Sequence, residues 1–277
     1  MTPVWLHRTT VLLSACTFSL IVAGGVTVSK QTQAAVSADH FVLSALTAIL
    51  TLATAWGLYL YDTRPWMKRL GLIAVLAVAA LAALGLSATP AAGIVHACAA
   101  QSFLALTFLL ALFTSNVWQA APLAVPDGGW PSLRSLAWVT PAVVLLQVAL
   151  GASYRHKLLG VVPHIVWAFA AGIIIMLFAT FVVTLSQSSR PLRHTAIWLL
   201  ALVCVQVMLG IAAFVMRLNS AGPSDVWMIL TTVTHAATGS LVLGCTTLLS
   251  AHVLRNLMPA RTAETPHSHL VSSGRPS

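Results

Sequence analysis

Four histidines stand near the start of apolar runs that are long enough to cross a membrane: His40, His96, His164 and His235. Imidazole is a common axial ligand of haem iron. A polar side chain at membrane depth is costly to bury, so it usually serves a function. The recurrence of one ligand type at one depth predicts two haem sites, one between His40 and His96 and one between His164 and His235.

Each of these histidines has a glycine in the preceding apolar run and a small residue four positions after it. A glycine closes the apolar run before each one, and a small side chain follows four positions later on the same helix face. We expect this spacing to leave room for a porphyrin beside the imidazole. A single such histidine could simply form a hydrogen bond between helices, and zinc is the weaker interpretation because closed zinc sites usually take four ligands. The glycines are Gly25, Gly85, Gly151 and Gly210, and the small residues are Ser44, Ala100, Ala168 and Gly239.

The elements that carry the histidines must lie in a bilayer. Of the 277 residues, 58% are hydrophobic and only 7% are charged, whereas about a quarter of the residues in a soluble domain are charged. A transmembrane helix needs roughly 20 apolar residues. The sequence therefore predicts an all-α polytopic membrane protein with eight transmembrane helices. They are expected at about 11–29, 40–60, 70–88, 94–114, 135–152, 163–185, 195–216 and 230–254.

The longest interior polar stretch, from Ser115 to Arg134, divides the predicted helices into two groups of four. Similar segments recur along the chain, and such an internal repeat predicts two four-helix bundles related by a pseudo-twofold axis. The predicted domains are 1–115 as the first half, 116–134 as a cytoplasmic linker, 135–256 as the second half and 257–277 as a disordered cytoplasmic tail. The similar segments are Leu81-Ala-Ala-Leu-Gly85, Gln147-Val-Ala-Leu-Gly151 and Gln206-Val-Met-Leu-Gly210.

The basic residues indicate membrane topology rather than nucleic-acid binding. The net charge is +9, but the 14 lysines and arginines are scattered through loops instead of being gathered on one soluble face. Most of them fall at the N-terminus, in alternate loops and in the tail, which places both termini in the cytoplasm and the histidines near the outer face. The four on the opposite, outer side are Lys30, Arg155, Lys157 and Arg217.

Cations on the outer side are candidates to bind haem propionates, and Arg155 and Arg217 are predicted to do so. Snorkelling of long side chains to the membrane interface would explain their positions nearly as well. His156 follows Arg155 in the sequence, and we expect it to be a loop histidine exposed to water.

The predicted helix that carries His40 has two further polar features. Asp39 directly precedes His40 and could relay protons, but a helix cap is the favoured interpretation because Asp is common at that position. A stripe of hydroxyl groups follows His40 on its own face and could line a polar part of a ligand or pack between helices. It consists of Ser44, Thr47, Thr51 and Thr54.

Several segments together resemble the haem A synthase family. Their order and spacing extend over nearly the whole chain. They are His96-Ala-Cys-Ala-Ala-Gln101-Ser-Phe103, Gln147-Val-Ala-Leu-Gly151-Ala-Ser-Tyr-Arg155-His156, Val162-Pro163-His164-Ile165, and Gln206-Val-Met-Leu-Gly210 followed by His235.

This resemblance implies a protein of the bacterial cytoplasmic membrane that oxidises the C8 methyl group of haem O to a formyl group, making haem A for terminal oxidases. By position, His164 and His235 would hold a haem b cofactor. His40 and His96 would face the substrate haem O, with Asp39 as a further catalytic candidate. The implied partners are haem O, delivered by a haem O synthase, an electron donor and the lipid bilayer. The resemblance leaves open whether the protein forms a homo-oligomer.

The family has a glutamate three residues before the first histidine, where this chain has Ser37. A non-catalytic haem b protein, serving electron transfer or haem delivery during oxidase assembly, is therefore the alternative hypothesis. A secondary transporter with internal repeats is a weaker one.

Overall fold

The computed structural model describes residues 3–29, 38–87, 89–122, 127, 130–185, 190–219 and 225–257. Within these residues the protein consists of helices and contains no strand. Eight of the helices are long and apolar enough to cross a membrane. A ninth, very short helix lies in the predicted linker. The helices are α1 (Val4–Ser29), α2 (Ala38–Tyr61), α3 (Pro65–Gly85), α4 (Pro90–Thr114), α5 (Asn116–Gln119), α6 (Leu133–Arg155), α7 (Val161–Leu185), α8 (Arg190–Asn219) and α9 (Val226–Asn256).

The prediction of eight long apolar helices is confirmed, although every helix begins before its predicted start. Several helices begin at residues that suit a helix start better than the edge of an apolar run does. Pro65 and Pro90 stand in the first turns of α3 and α4. The side chains of Ser132 and Asp225 cap α6 and α9. Residues 258–277, which make up nearly all of the predicted tail, lie outside the described residues.

The helices pack as two rings of four. In the first half, α1 packs against α2 and α4, and α3 packs against the same two helices. In the second half, α6 packs against α7 and α9, and α8 packs against the same two helices. The halves meet where α4 contacts α6 and α9, and where α1 contacts α9. Within each ring, α2 and α4, or α7 and α9, are therefore diagonal to each other.

Large apolar side chains cover the outside of both rings. Their exposure is typical of a surface that faces lipid rather than water. The interior differs between the halves, because the apolar core of the second half is larger than that of the first. Prominent outward residues are Phe41, Trp56, Phe169, Trp198 and Met208, and prominent core residues of the second half are Val144, Ile175, Phe178, Leu199 and Leu249.

Candidate haem site

The imidazoles of His164 and His235 form an edge-to-face contact within the second ring. His164 lies in the first turn of α7 and His235 in the third turn of α9. Their ring centroids are 6.2 Å apart and their planes are nearly perpendicular, at 86°. The sequence-based pairing of these two histidines is thus matched by their proximity.

That separation fits one metal ion between the two rings. A metal–nitrogen bond of about 2.0–2.1 Å, added to roughly 1.1 Å from the nitrogen to the ring centre, places two opposed imidazoles about 6.2–6.4 Å apart. Among the described residues, no group of three or more His, Cys, Asp or Glu side chains could hold a metal ion. A pair of imidazoles from diagonal helices is suited to a haem iron, whose other four ligands belong to the porphyrin.

Each of the four histidine rings packs against a glycine on the preceding long helix. A Cβ atom placed on Gly151 would lie 2.9 Å from Cε1 of His164, and one on Gly210 would lie 3.0 Å from Cε1 of His235. In the second half, therefore, only glycine leaves space for the ring in its present position.

The first half repeats this packing less tightly. A Cβ on Gly85 would lie 3.6 Å from Cε1 of His96. The ring of His40 packs against Gly24, at 3.3 Å, whereas the adjacent Gly25, which closes the apolar run in the sequence pattern, faces Val233 of α9. Two adjacent glycines point to different sides of a helix, and the apolar pattern of α1 does not distinguish them.

In the described part of the chain, glutamine side chains contact histidine rings in the second half. Gln147 stands one turn before Gly151; its Nε2 donates to the backbone carbonyl of His164 at 3.1 Å and lies 3.4 Å from the ring Nε2. Gln206 stands one turn before Gly210, and its Nε2 lies 3.5 Å from Nε2 of His235. The sequence repeat contained both glutamines, but their role at the histidines was not predicted.

Gly239 accommodates one of these glutamines. A Cβ at this position would lie 3.1 Å from Nε2 of Gln206. The small residue four positions after His235 therefore leaves room for the amide of Gln206, whereas the sequence pattern predicted room for a porphyrin.

Nδ1 of His96, His164 and His235 is buried and has no hydrogen-bond partner among the described residues. In the second half, the amides of Gln147 and Gln206 contact Nε2 of the two rings. A metal ion bound at Nε2 would therefore replace these amide contacts.

His40 and His96 come from the diagonal helices α2 and α4 and lie close enough to interact electrostatically. The hydroxyl of Ser44, four residues after His40, donates to the carbonyl of His40 at 2.7 Å. The rest of the predicted stripe points into the ring of helices, since Thr47, Thr51 and Thr54 are all buried. This burial favours packing between helices for the stripe.

Asp39 is exposed and lies in the first turn of α2, one residue inside the helix rather than at its cap. A negative charge in the first turn still favours the helix through the helix dipole. Ser37, at the position of the family glutamate, lies outside the described residues, as does Lys30.

The predicted propionate ligands occupy different places. Arg217 lies over the ring of Tyr154, 5.1 Å from its centroid. Arg155 is partly buried, and its Nη2 donates to the carbonyl of Gly25 and to Oγ of Ser29, both on α1. Arg155 was predicted to bind the cofactor haem of the second half, yet its contacts reach α1 of the first half.

The expectation that His156 is exposed to water is wrong. Its ring is partly buried against Gly93 of α4, where an added Cβ would lie 2.7 Å from Nδ1. Burial, together with the charges of Arg155 and His96, lowers the pKa of His156 below its ordinary value of 6.5. The glycine three residues before His96 was the sequence feature that could have indicated this packing.

Two comparisons of the sequence with known proteins found no relative. No protein-family model matches the sequence, and a search of curated proteins found no match.

Proposed function

We propose that this multi-pass membrane protein binds haem b in its second half through His164 and His235. The observation that carries the proposal is the 6.2 Å separation of the two ring centroids, which equals the spacing of two imidazoles on one metal ion. The glycines behind both rings support a preformed site, because they position the rings before any ligand arrives.

We further propose that His40 and His96 hold a second porphyrin in the first half, related to the first site by a pseudo-twofold axis. The relation exchanges α1 with α6, α2 with α7, α3 with α8 and α4 with α9. The packing pairs support it, because α1–α9 and α4–α6 exchange and α4–α9 maps onto itself. The charge distribution supports a bacterial cytoplasmic membrane protein with both termini in the cytoplasm.

The activity that this arrangement supports best is that of a haem A synthase-like oxidoreductase. The C8 methyl group of haem O would be hydroxylated twice and would then lose water to give the formyl group of haem A, a four-electron oxidation that requires dioxygen or another external oxidant. Haem b in the second half would supply one-electron transfer. His40 and His96 would position the substrate, and Asp39, beside His40, would exchange protons with the outer side. The resemblance of the ordered motifs to the family supports this assignment.

A second candidate is a haem b protein without this activity, serving electron transfer or haem delivery. The exposure of Asp39 favours it, because a carboxylate that takes part in catalysis must lie within hydrogen-bond reach of the reacting group.

Co-expression with a source of haem O separates the two candidates. After pigment extraction and chromatography, the enzyme is expected to yield haem A or hydroxylated intermediates, and a His96→Ala variant is expected to yield none. A purified protein that shows a b-type reduced-minus-oxidised spectrum but never forms an oxidised haem O product would establish the second candidate. A protein without any haem would contradict both.

A further inference from the structure

Two consecutive residues at the end of α6 reach from the second half to helices α1 and α4 of the first. Arg155 donates to the carbonyl of Gly25 on α1, the helix whose Gly24 supports the His40 ring. His156 packs on Gly93 of α4, one turn before His96. The end of α6 therefore contacts both the helix that supports His40 and the helix that carries His96.

Arg155 has only neutral acceptors in these contacts. They are a backbone carbonyl and the hydroxyl of Ser29. Within the described part of the chain, Arg64 and Asp62 form the only ion pair. A partly buried guanidinium at the end of a membrane-spanning helix is costly without an anion, and its planar fork of donors matches a carboxylate.

We propose that Arg155 binds a carboxylate of the porphyrin held between His40 and His96, so that a residue of the second half positions the ligand of the first. This inference rests on the proposed function, because it requires a porphyrin in the first half. It reassigns Arg155 from the cofactor of its own half to the substrate across the interface. His156, held neutral by its surroundings, forms the neighbouring part of the rim and adds no second charge.

The geometry also explains why the contact spans the two halves. The α6 terminus lies beside α4, and Arg155 reaches α1. A ligand carboxylate at this point would join helices of both rings, and exchanging the substrate would break that connection.

The test compares haem b with its dimethyl ester, which is the same porphyrin without negative charges. Purified protein that retains its first equivalent of haem is titrated with each compound, and binding of a second equivalent is followed by absorbance. The wild type is expected to bind the free acid roughly tenfold or more tightly than the ester, since hydrogen bonds to charged groups are the strong ones. Arg155→Met should lose most of this preference while its affinity for the ester stays unchanged.

Arg155→Lys keeps the charge but not the fork and should retain part of the preference. Arg193→Gln is the control, because it removes a positive charge from an exposed position that the charge pattern assigns to the opposite side of the membrane, and it should behave as the wild type. Equal weakening of both porphyrins in Arg155→Met and Arg155→Lys would show that Arg155 only ties α6 to α1, and an unchanged preference would also overturn the inference.

Two outcomes separate this inference from the proposed function. If the wild type binds one equivalent of haem and no second equivalent of either compound, the first half has no porphyrin site, and the inference fails while the haem b site stands. If no haem binds at all, the proposed function itself fails.

Discussion

The two halves place histidines in the same way but surround them differently. Both set an imidazole against a glycine of the preceding long helix. In the second half the glycine contacts are tighter and glutamines stand beside the rings. In the first half leucines occupy the corresponding positions, Leu20 and Leu81, one turn before Gly24 and Gly85.

The interiors below the histidines differ as well. The second half has a packed apolar core around Phe178. The first half has a smaller apolar core, whereas buried hydroxyl groups occur in both halves. A tightly packed surrounding suits a permanently bound group, whereas a looser one suits a ligand that enters and leaves.

Removal of single histidines should give the largest contrast between the halves. His164→Ala and His235→Ala should each abolish the b-type spectrum, because one imidazole cannot replace the pair, whereas His40→Ala should leave most of it. The measurement is the reduced-minus-oxidised spectrum of the purified variants, with the exposed His194→Ala as control. Equal losses in all three site variants would contradict the assignment of the stable haem to the second half.

Replacement of each glycine by alanine should show the same contrast between the two halves in graded steps. A Cβ would meet Cε1 of the ring at 2.9 Å for Gly151, 3.0 Å for Gly210, 3.3 Å for Gly24 and 3.6 Å for Gly85. Overpacking costs about 1–3 kcal/mol, so Gly151→Ala and Gly210→Ala should weaken haem b binding roughly 5- to 150-fold.

Gly85→Ala is the matched control for this series. Its Cβ fits, and alanine favours a helix over glycine by about 0.8–1.0 kcal/mol, so the variant should be slightly more stable and keep its haem. Haem content per protein and thermal unfolding measure both effects. A loss of haem that is greater in Gly85→Ala than in Gly151→Ala would contradict the difference between the glycine–histidine contacts of the two halves.

Sequence patterns were sufficient for the helices, because spans of this length and apolarity have no other stable form in a bilayer. The pairing of His164 with His235 also followed from the repeat. The neighbours of these rings did not follow, since rotating a helix by one residue exchanges Gly24 and Gly25. The direction in which the Arg155 side chain extends could not be predicted either. A long side chain at a helix end can reach several helices, and the sequence does not indicate which helix it contacts.

An ion pair at the opposite end strengthens the less densely packed first half. Asp62, between α2 and α3, is buried, and its carboxylate accepts hydrogen bonds from the backbone N–H, Nε and Nη2 of Arg64. Nη2 of Arg64 also donates to the carbonyl of Phe113 at 3.0 Å. The turn between α2 and α3 is thereby joined to the end of α4.

Asp62→Asn should produce the smallest of the three effects. Hydrogen bonds to charged groups contribute about 1.5–3 kcal/mol, so the variant should unfold at a lower temperature while the b-type spectrum of the second half persists. Asp225→Asn is the control, because asparagine caps a helix about as well as aspartate does. Loss of the b-type spectrum in Asp62→Asn would show that destabilising the first half also disrupts the haem site of the second half.

The pH dependence of the Asp62→Asn effect tests its electrostatic origin. Burial raises the pKa of Asp62, but the hydrogen bonds and charge of Arg64, with Lys68, outweigh burial and hold the pKa below its ordinary value of 3.8. A carboxyl with a lowered pKa in the folded state stabilises the protein above the unfolded value, and this contribution disappears as the pH falls through the folded value. The difference in unfolding temperature between wild type and Asp62→Asn should therefore be constant between about pH 7 and about pH 5 and should shrink below about pH 4. A difference that persists undiminished in acid would mean that Asp62 acts through its shape, and the first half would then owe its stability to packing, as the second half does.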